Sequence, residues 1–396
     1  MRALALLLLL TGTGLAAGCS QSAVLESPDR DAGFSGGAAG SRAAAELGVI
    51  TRNLYVGTDV DAVISALRTP DPADDLPALV EAIETLRRTD FPARAAAIAD
   101  EIAKAHPHAI GLQEVSQIDL TLPPLGVDIH QDFLSTLLAE LNERGLAYDV
   151  AAGVQNIEAA PFPGVSLVDF DVLLVKRGVE VGSTTAQNFN NNLGTVAPGV
   201  ILKRGWVTAI VTIDGTELTL ASTHLESGNF PGFAELRAAQ AQELVGALDP
   251  ARPAVLMGDL NDAPGSPMYQ VLVGAGFIDV WRALRPGVVG NTCCHLDDLS
   301  NKLPHFEQRI DYIFARGLER PHAGLIGKVE QLGEVPADRI TGPVSKIWPS
   351  DHAGLAGELR LPTLPIPPRA QSRRPACSFG LCRPVRLGRT NLAAPA

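Results

Sequence analysis

The sequence is poor in cysteine, in aromatic side chains and in positive charge. Five cysteines, at positions 19, 293, 294, 377 and 382, are spread over 396 residues. They are too few, and mostly too late in the chain, for a disulfide framework, and no Cys-x-x-Cys pair offers a structural zinc site. Three Trp and four Tyr leave no obvious aromatic-rich loop for docking on a membrane. The net charge is −12. The stretch from Thr363 to Ala396 holds six Arg and no acid, so residues 1–362 carry 26 basic against 44 acidic groups, or −18. That excludes broad electrostatic capture of nucleic acid, which needs many Lys and Arg at phosphates. It does not exclude a substrate bound at one metal-containing site. Internal repeats and Ser or Cys nucleophile motifs are lacking too.

Apolar residues are plentiful. At 46% hydrophobic and 19% charged, the chain has material for a sizeable core. Residues 1–19 resemble an export signal, with Arg2 ahead of the apolar run Ala3 to Leu10. That run is too short to span a membrane stably. Ala16-Ala17-Gly18-Cys19 is similar to a bacterial lipobox, although Ala16 stands where Leu is usual. Lipidation of Cys19 would anchor the protein to a membrane outside the cytoplasm; without it the protein would be secreted or periplasmic. Residues 20–45, rich in Ser, Gly and Ala, read as a flexible tether. Residues 46–361 read as one folded domain, and 362–396 as a disordered Pro- and Arg-rich tail.

Within the domain, strands and helices mix without regular alternation. Leu47–Leu54, Ala109–Val115, Val165–Val175, Val207–Ile213, Leu218–Thr223, Pro253–Met257, Ile310–Ala315 and Gly354–Leu361 read as strands. Asp214-Gly215 marks a hairpin. Helical spacing covers three segments between Thr58 and Lys104, separated at Pro70, Pro72 and Pro92. It recurs over Gln131–Arg144 and Phe233–Leu248.

Polar groups recur where the apolar strands stop: Asn53, Glu114, His224, Asp259 with Asn261, Asp311, and Asp351 with His352. Asp259 and Asn261 are two apart, so a strand continuing through them puts both side chains on one face. Each residue alone has a plain structural explanation, such as a turn, a cap or a satisfied core histidine. Burying many uncompensated carboxylates is costly. Either they all lie in surface turns, or they converge around a cation.

Six short motifs occur in order: Thr51-Arg52-Asn53, Leu112-Gln113-Glu114, Ser222-Thr223-His224, Gly258-Asp259-Leu260-Asn261, Arg309-Ile310-Asp311-Tyr312 and Ser350-Asp351-His352. Together they resemble the endonuclease/exonuclease/phosphatase superfamily over roughly residues 46–361. The resemblance implies an α+β fold of two packed mixed β-sheets, a four-layer sandwich flanked by helices. It implies a divalent cofactor, Mg²⁺, with Mn²⁺ or Ca²⁺ as substitutes. Metal ligands by resemblance are Glu114, assisted by Asn53, with Asp351 near the metal or supporting it. Asp259 would orient or deprotonate the attacking water, Asn261 would hold the phosphate, and His224 would donate to a phosphate oxygen. His352 would act as general acid or base, oriented by Asp311.

Such a site suits hydrolysis of a phosphate ester. A hard cation offsets the charge that repels the nucleophile, and carboxylate ligands suit it. The implied enzyme is an exported monomeric phosphodiesterase, a nuclease or a lipid or sphingomyelin phosphodiesterase, with nucleic acid entering only as substrate. The competing readings are a phosphomonoesterase of inositol-phosphate type and a surface binding lipoprotein that kept the fold without the chemistry. Retention of every motif acid and both His disfavours the last. Tyr55 stands where many members have an acid, which puts a second metal in doubt. The segment Asn291–Asp298, with Cys293-Cys294 and His295, Asp297 and Asp298, reads as a structural loop, with an extra metal site as the sharper reading.

Overall fold

The computed structural model describes residues 45–362, apart from 72 and 321. The signal, tether and tail proposed above lie outside the described residues. The domain opens with β1 (Glu46–Asn53), followed by α1 (Val60–Leu67), α2 (Asp75–Thr89) and α3 (Phe91–Ala105). Then come β2 (Ala109–Leu122), β3 (Val127–Asp132) and α4 (Phe133–Glu143). A run of strands follows: β4 (Tyr148–Ala159), β5 (Val165–Lys176), β6 (Glu180–Asn188), β7 (Gly194–Ala197), β8 (Val200–Leu202), β9 (Gly205–Ile213) and β10 (Thr216–His224). Next are α5 (Phe233–Ala247), β11 (Ala254–Asp259), α6 (Pro267–Gly274), β12 (Ile278–Asp279) and α7 (Val280–Leu284). The domain closes with β13 (Asp311–Arg316), β14 (Gly327–Leu332), β15 (Ile340–Thr341), β16 (Lys346–Ile347) and β17 (Gly354–Arg360).

Two large sheets result. The first runs β14-β17-β1-β2-β5-β4-β8-β7, with β3 added on β2; the second runs β12-β13-β11-β10-β9-β6. Both are mixed. Each contains one parallel pair, β1 with β2 and β10 with β11, among antiparallel neighbours. The sheets face each other across a core that includes Leu47, Val49, Leu173, Val207, Leu220, Val255, Met257, Ile313 and Leu355. Residues such as Leu79, Ile83, Phe91 and Ile98 cover the outer face of the first sheet with α2 and α3, and Phe133 and Leu137 do so from α4. Ala241, Leu244, Met268 and Leu272 cover the second sheet with α5 and α6. The order helix, sheet, sheet, helix is the four-layer sandwich expected from the resemblance.

Local chemistry explains the key joins. The β9–β10 turn places Asp214 and Gly215 at positive φ, 49° and 84°, as a two-residue hairpin requires. At the interface of the two sheets, Gly111 of β2 faces Ser222 of β10. A Cβ at Gly111 would come 2.6 Å from Ser222 Oγ. A neighbouring hydrogen bond links the same strands, with Gln113 Nε2 donating to Ser222 Oγ at 3.1 Å.

Two buried arginines tie the chain's late turn to β1 and α3. Arg52 donates to the His352 carbonyl and, at 3.2 Å, to Glu101. Burial pushes the Glu101 carboxyl up to about 7, against the pull of Arg52. Arg94 of α3 donates to the carbonyls of Leu54, Tyr55, Thr89 and Pro349. The turn carrying residues 349–352 is therefore held at the β1 end by guanidinium-to-carbonyl bonds that a random surface loop would lack.

Gly111→Ala is expected to destabilise the domain by about 1–3 kcal/mol through overpacking of the sheet interface. The measurement is the urea midpoint, which should fall with an unchanged m-value. An unaltered midpoint would mean that the sheets do not pack this closely.

Candidate active site

Strand register assembles the site. His224 is the Cα partner of Asp259 across β10 and β11, and Asp259 is the partner of Asp311 across β11 and β13. Three functional side chains thus form one row at the end of the second sheet. Asn53, at the end of β1, and Glu114, in β2, face this row from the first sheet. Glu114 does not end its strand. β2 runs on to Leu122, and the register with β5 shifts between Leu112 and Val115. Glu114 sits on that bulge with φ 56°. A bulge re-aims a side chain without ending the strand, which is what Glu114 needs to reach the cleft.

The Asn53 amide joins the two sheets. Its Nδ2 donates to Glu114 Oε1 at 2.9 Å and to Asp259 Oδ2 at 3.1 Å, while its Oδ1 accepts the Tyr55 N–H. Glu114 Oε2 accepts the Val56 N–H at 2.8 Å. Asp259 Oδ1 accepts the Asn261 N–H at 3.0 Å. β11 ends at Asp259, and Asn261 takes a left-handed backbone with φ 51°. Strand alternation therefore does not aim Asn261; the turn does, and both residues line one cleft. Asn261 Nδ2 also donates to the Leu225 carbonyl at 3.0 Å.

His352 is buried, with Nδ1 donating to Asp311 Oδ2 at 2.8 Å and lying 3.8 Å from Asp259 Oδ2. Burial opposes its charge, but Asp311, Asp351 and Asp259 surround it and raise its pKa well above the ordinary value. Burial, helped by Asp311, pushes Asp259 up to about 7. Burial likewise pushes Asp351 up to about 6, with His352 pulling the other way. Asp259, Asp311 and a ring nitrogen of His352 lie within 4.8 Å of one another, with Glu114 and Asp351 on the same cleft. Asp311 Oδ1 has no hydrogen-bond partner. Buried, mutually repelling carboxylates with an unpaired oxygen fit a hard divalent cation.

His224 adjoins this acid group through Asp259. Arg204 Nη1 lies 3.2 Å from His224 Nδ1. A guanidinium only donates, so Nδ1 is the acceptor and the proton sits on Nε2. That nitrogen is 3.5 Å from Asp259 Oδ2. Burial, then Arg204 and His352, hold the His224 pKa well below its ordinary value. His224 is thus a neutral imidazole presenting one N–H to the cleft.

All eight residues expected at the site are brought to one end of the sandwich. Others were not anticipated. Arg204 precedes β9 and is buried, near Glu226 at 3.5 Å. Asp169 and Asp171 are fully buried in β5, with three of their four carboxylate oxygens unpartnered. Burial raises Asp169 to about 7 and Asp171 well above the carboxylate range. The signal was present: two acids, two apart, inside an apolar strand share one face. By contrast, the Asn291–Asp298 segment behaves as a structural loop around its histidine. His295 stacks on Trp348 at 4.2 Å and accepts from Asn301 at 2.9 Å. Among the described residues it joins no metal-binding cluster with Asp297 or Asp298.

The class that the fold defines is a four-layer sandwich with acids and imidazoles gathered at the strand ends. The family described as Endonuclease/Exonuclease/phosphatase family matches residues 83–352, and the chain belongs to that family. Its members are hydrolases that act on phosphate esters. Among solved structures, an endonuclease/exonuclease/phosphatase from Beutenbergia cavernae is similar, with 20% identity and a TM-score of 0.50, over 80% of this chain and 72% of that one. A family protein from Bacteroides thetaiotaomicron is similar at 16% identity and a TM-score of 0.51, over 81% of this chain and 99% of that one. At these identities the likeness establishes the fold alone. No curated protein matches the sequence.

The tautomer of His224 is directly measurable. Long-range ¹H–¹⁵N spectra are expected to show Nε2 protonated and Nδ1 bare from about pH 8 down to about pH 6, below which an ordinary imidazole would be mostly charged. Protonation of both nitrogens at the lower pH would remove Arg204 as the group that fixes this ring.

Proposed function

We propose that this protein is a Mg²⁺-dependent phosphodiesterase that cleaves its substrate by in-line attack of water. The observation that carries this reading is the convergence of Glu114, Asp259, Asp351 and the Asp311–His352 pair on one cleft. Glu114, assisted by Asn53 and Asp351, would hold the cation. Bound there, the cation would act as a Lewis acid that withdraws charge from the phosphoryl oxygens. Asp259, held near neutrality, is suited to take a proton from the attacking water. His352, held protonated by the acids around it, is suited to give one to the leaving oxygen. His224 and Asn261 would donate hydrogen bonds where negative charge develops. His224 suits this because its single proton is aimed at the cleft.

Charge favours a diester over a monoester. The cleft is lined by Asp59, Asp61, Glu114, Asp169, Asp259, Asp297 and Asp351 against two cationic groups, the Arg204 guanidinium and the His352 imidazolium. A dianionic monoester, and still more a polyphosphorylated inositol, would meet more repulsion there than a monoanionic diester. The same acidity weighs against long nucleic acids and towards a small or lipid-borne diester. Export, with a lipid on Cys19 as anchor, is part of the proposal and rests on the N-terminal motif.

The purified protein is expected to hydrolyse an activated phosphodiester with Mg²⁺, faster than the matching monoester, and to fall silent with chelator. Asp259→Ala and His352→Ala should each lower kcat by about 10²–10⁴-fold while keeping the wild-type circular dichroism spectrum. Turnover close to wild type in either variant would displace that residue from the chemistry. An absence of turnover on diesters and monoesters with every divalent metal tried would end the enzyme reading.

Metal binding should also be linked to pH. Asp259 and Asp351 titrate above the carboxylate range in the fold, so between about pH 4 and 7 the metal-free fold binds more protons there than the unfolded chain. Over that window these groups weaken the fold as pH rises. Ligation by Asp351 requires its deprotonated form, and a cation beside Asp259 favours the same form there, so metal binding reverses the effect. Saturating Mg²⁺ is therefore expected to raise Tm more at about pH 8 than at about pH 5.5. Equal shifts in scanning calorimetry would show that neither carboxylate exchanges its proton for the metal.

A further inference from the structure

Cys293 and Cys294 lie on a strap that braces the site. Thr292 Oγ1 accepts the N–H groups of Ile310 and Asp311, at 3.3 and 3.2 Å. The Ala353 N–H donates to the Thr292 carbonyl, and the His295 N–H to the Asp351 carbonyl, each at 2.8 Å. This strap holds both sulfurs against the wall of the catalytic cleft. Cys294 Sγ is 3.8 Å from His352 Nε2. Because Nδ1 of that ring is taken by Asp311, Nε2 is the nitrogen free to meet the sulfurs. The two sulfurs and a ring nitrogen of His352 lie within 4.8 Å of one another. In the structure the cysteines are joined as a vicinal disulfide. The hydrolytic reading uses neither of them.

The cleft thus carries two donor sets of opposite character. The carboxylates of Glu114, Asp259 and Asp351 are hard oxygen donors suited to Mg²⁺. Two thiolates and an imidazole are soft and borderline donors, suited to Zn²⁺ or Cd²⁺ and not to Mg²⁺. Around a tetrahedral ion with bonds of about 2.0–2.3 Å, donor atoms stand roughly 3.5–3.8 Å apart. The Cys294–His352 separation already has that value, and opening the disulfide frees the sulfurs to adopt it.

We propose that the dithiol form of Cys293 and Cys294, with His352 Nε2, is a binding site for a thiophilic divalent cation, and that its occupancy withdraws His352 from proton transfer. A phosphine reductant and one water convert the disulfide to two thiols and a phosphine oxide. Binding of the cation then releases both thiol protons and the proton on His352 Nε2. The disulfide form has no thiolate to offer, so the oxidised enzyme escapes this block. The site makes hydrolysis sensitive to soft metals only under reducing conditions.

The test is a Cd²⁺ titration of the full chain, read by the ultraviolet thiolate-to-cadmium charge-transfer band after the phosphine has been removed. Cys19, Cys377 and Cys382 are present in wild type and in the Cys293→Ser/Cys294→Ser variant alike, so the difference between the two reports the pair. Reduced wild type is expected to gain a band that saturates at one ion per chain above the variant. Oxidised wild type should show no excess. His352→Gln should weaken that Cd²⁺ by about tenfold or more, independently of turnover. With Mg²⁺ in excess, one equivalent of Zn²⁺ should lower diester hydrolysis by reduced wild type by about tenfold and leave the double variant within about twofold of its own rate. Should the double variant fail to fold, Cys294→Ser alone must lose the excess band. Equal bands in reduced wild type and variant, unchanged affinity in His352→Gln, or a thiol count that the phosphine does not raise would each overturn the proposal.

Discussion

The hydrogen bond from Asn53 Nδ2 to Asp259 Oδ2 crosses from one sheet to the other, and the site is organised around it. The same amide nitrogen reaches Glu114, so one donor fixes two carboxylates that would otherwise repel each other in a buried place. Register does the rest. His224, Asp259 and Asp311 are neighbours only because β10, β11 and β13 pair as they do. A slip of one residue in β11 would turn Asp259 into the opposite face and replace it with a neighbour of the wrong chemistry. Packing of the two sheets is thus a condition of catalysis as well as of stability. Gly111 permits the approach by carrying no side chain against Ser222.

Electrostatics divides the site into two halves. On the His352 side, Asp311, Asp351 and Asp259 make the ring a proton holder. On the His224 side, burial, reinforced by Arg204, makes the ring a neutral donor. Two histidines of one cleft are given opposite protonation by their immediate neighbours. Such separation lets one fold place an acid and a hydrogen-bond donor side by side near neutral pH. The strap bearing Cys293 and Cys294 belongs to the first half, since it grips both Asp311 and the turn that carries His352.

Much of this was legible in the sequence where a strand buries one clear face or stops at a polar group. β1, the β9–β10 hairpin, β11, β13 and β17 all read correctly to within a few residues, as did the three helices before β2. β4 did not, and its register with β5 shifts twice, between Val150 and Ala152 and between Gln155 and Ile157. Each bulge resets the alternation on which a strand is recognised. β6 escaped for another reason: its side chains are almost all exposed, so no apolar face existed to be seen. β2 was read too short because the bulge at Glu114 resembles a strand end. The eight residues that the fold gathers at one end of the sandwich all sit in the ordered motifs. Arg204 was passed over, as was the Asp169–Asp171 spacing, because a charge beside or within an apolar run normally signals a solvent-facing position. Burial of those charges is a tertiary fact, created by β4, β5, β9 and β10 coming together.

β17 enters its sheet between β14 and β1, next to the first strand of the domain. The turn ahead of it is clasped by Arg52, which donates to a carbonyl 300 residues further along the chain. During synthesis β1 emerges early and must wait for its partner until nearly the whole domain has been made. Until then Asp311 lacks its His352 partner and Arg52 lacks the carbonyl it clasps. Contacts this far apart also slow closure of the fold. Loss of the last strand through early termination or proteolysis would remove β17 from between β14 and β1 and leave β1 as an unpaired edge prone to aggregation.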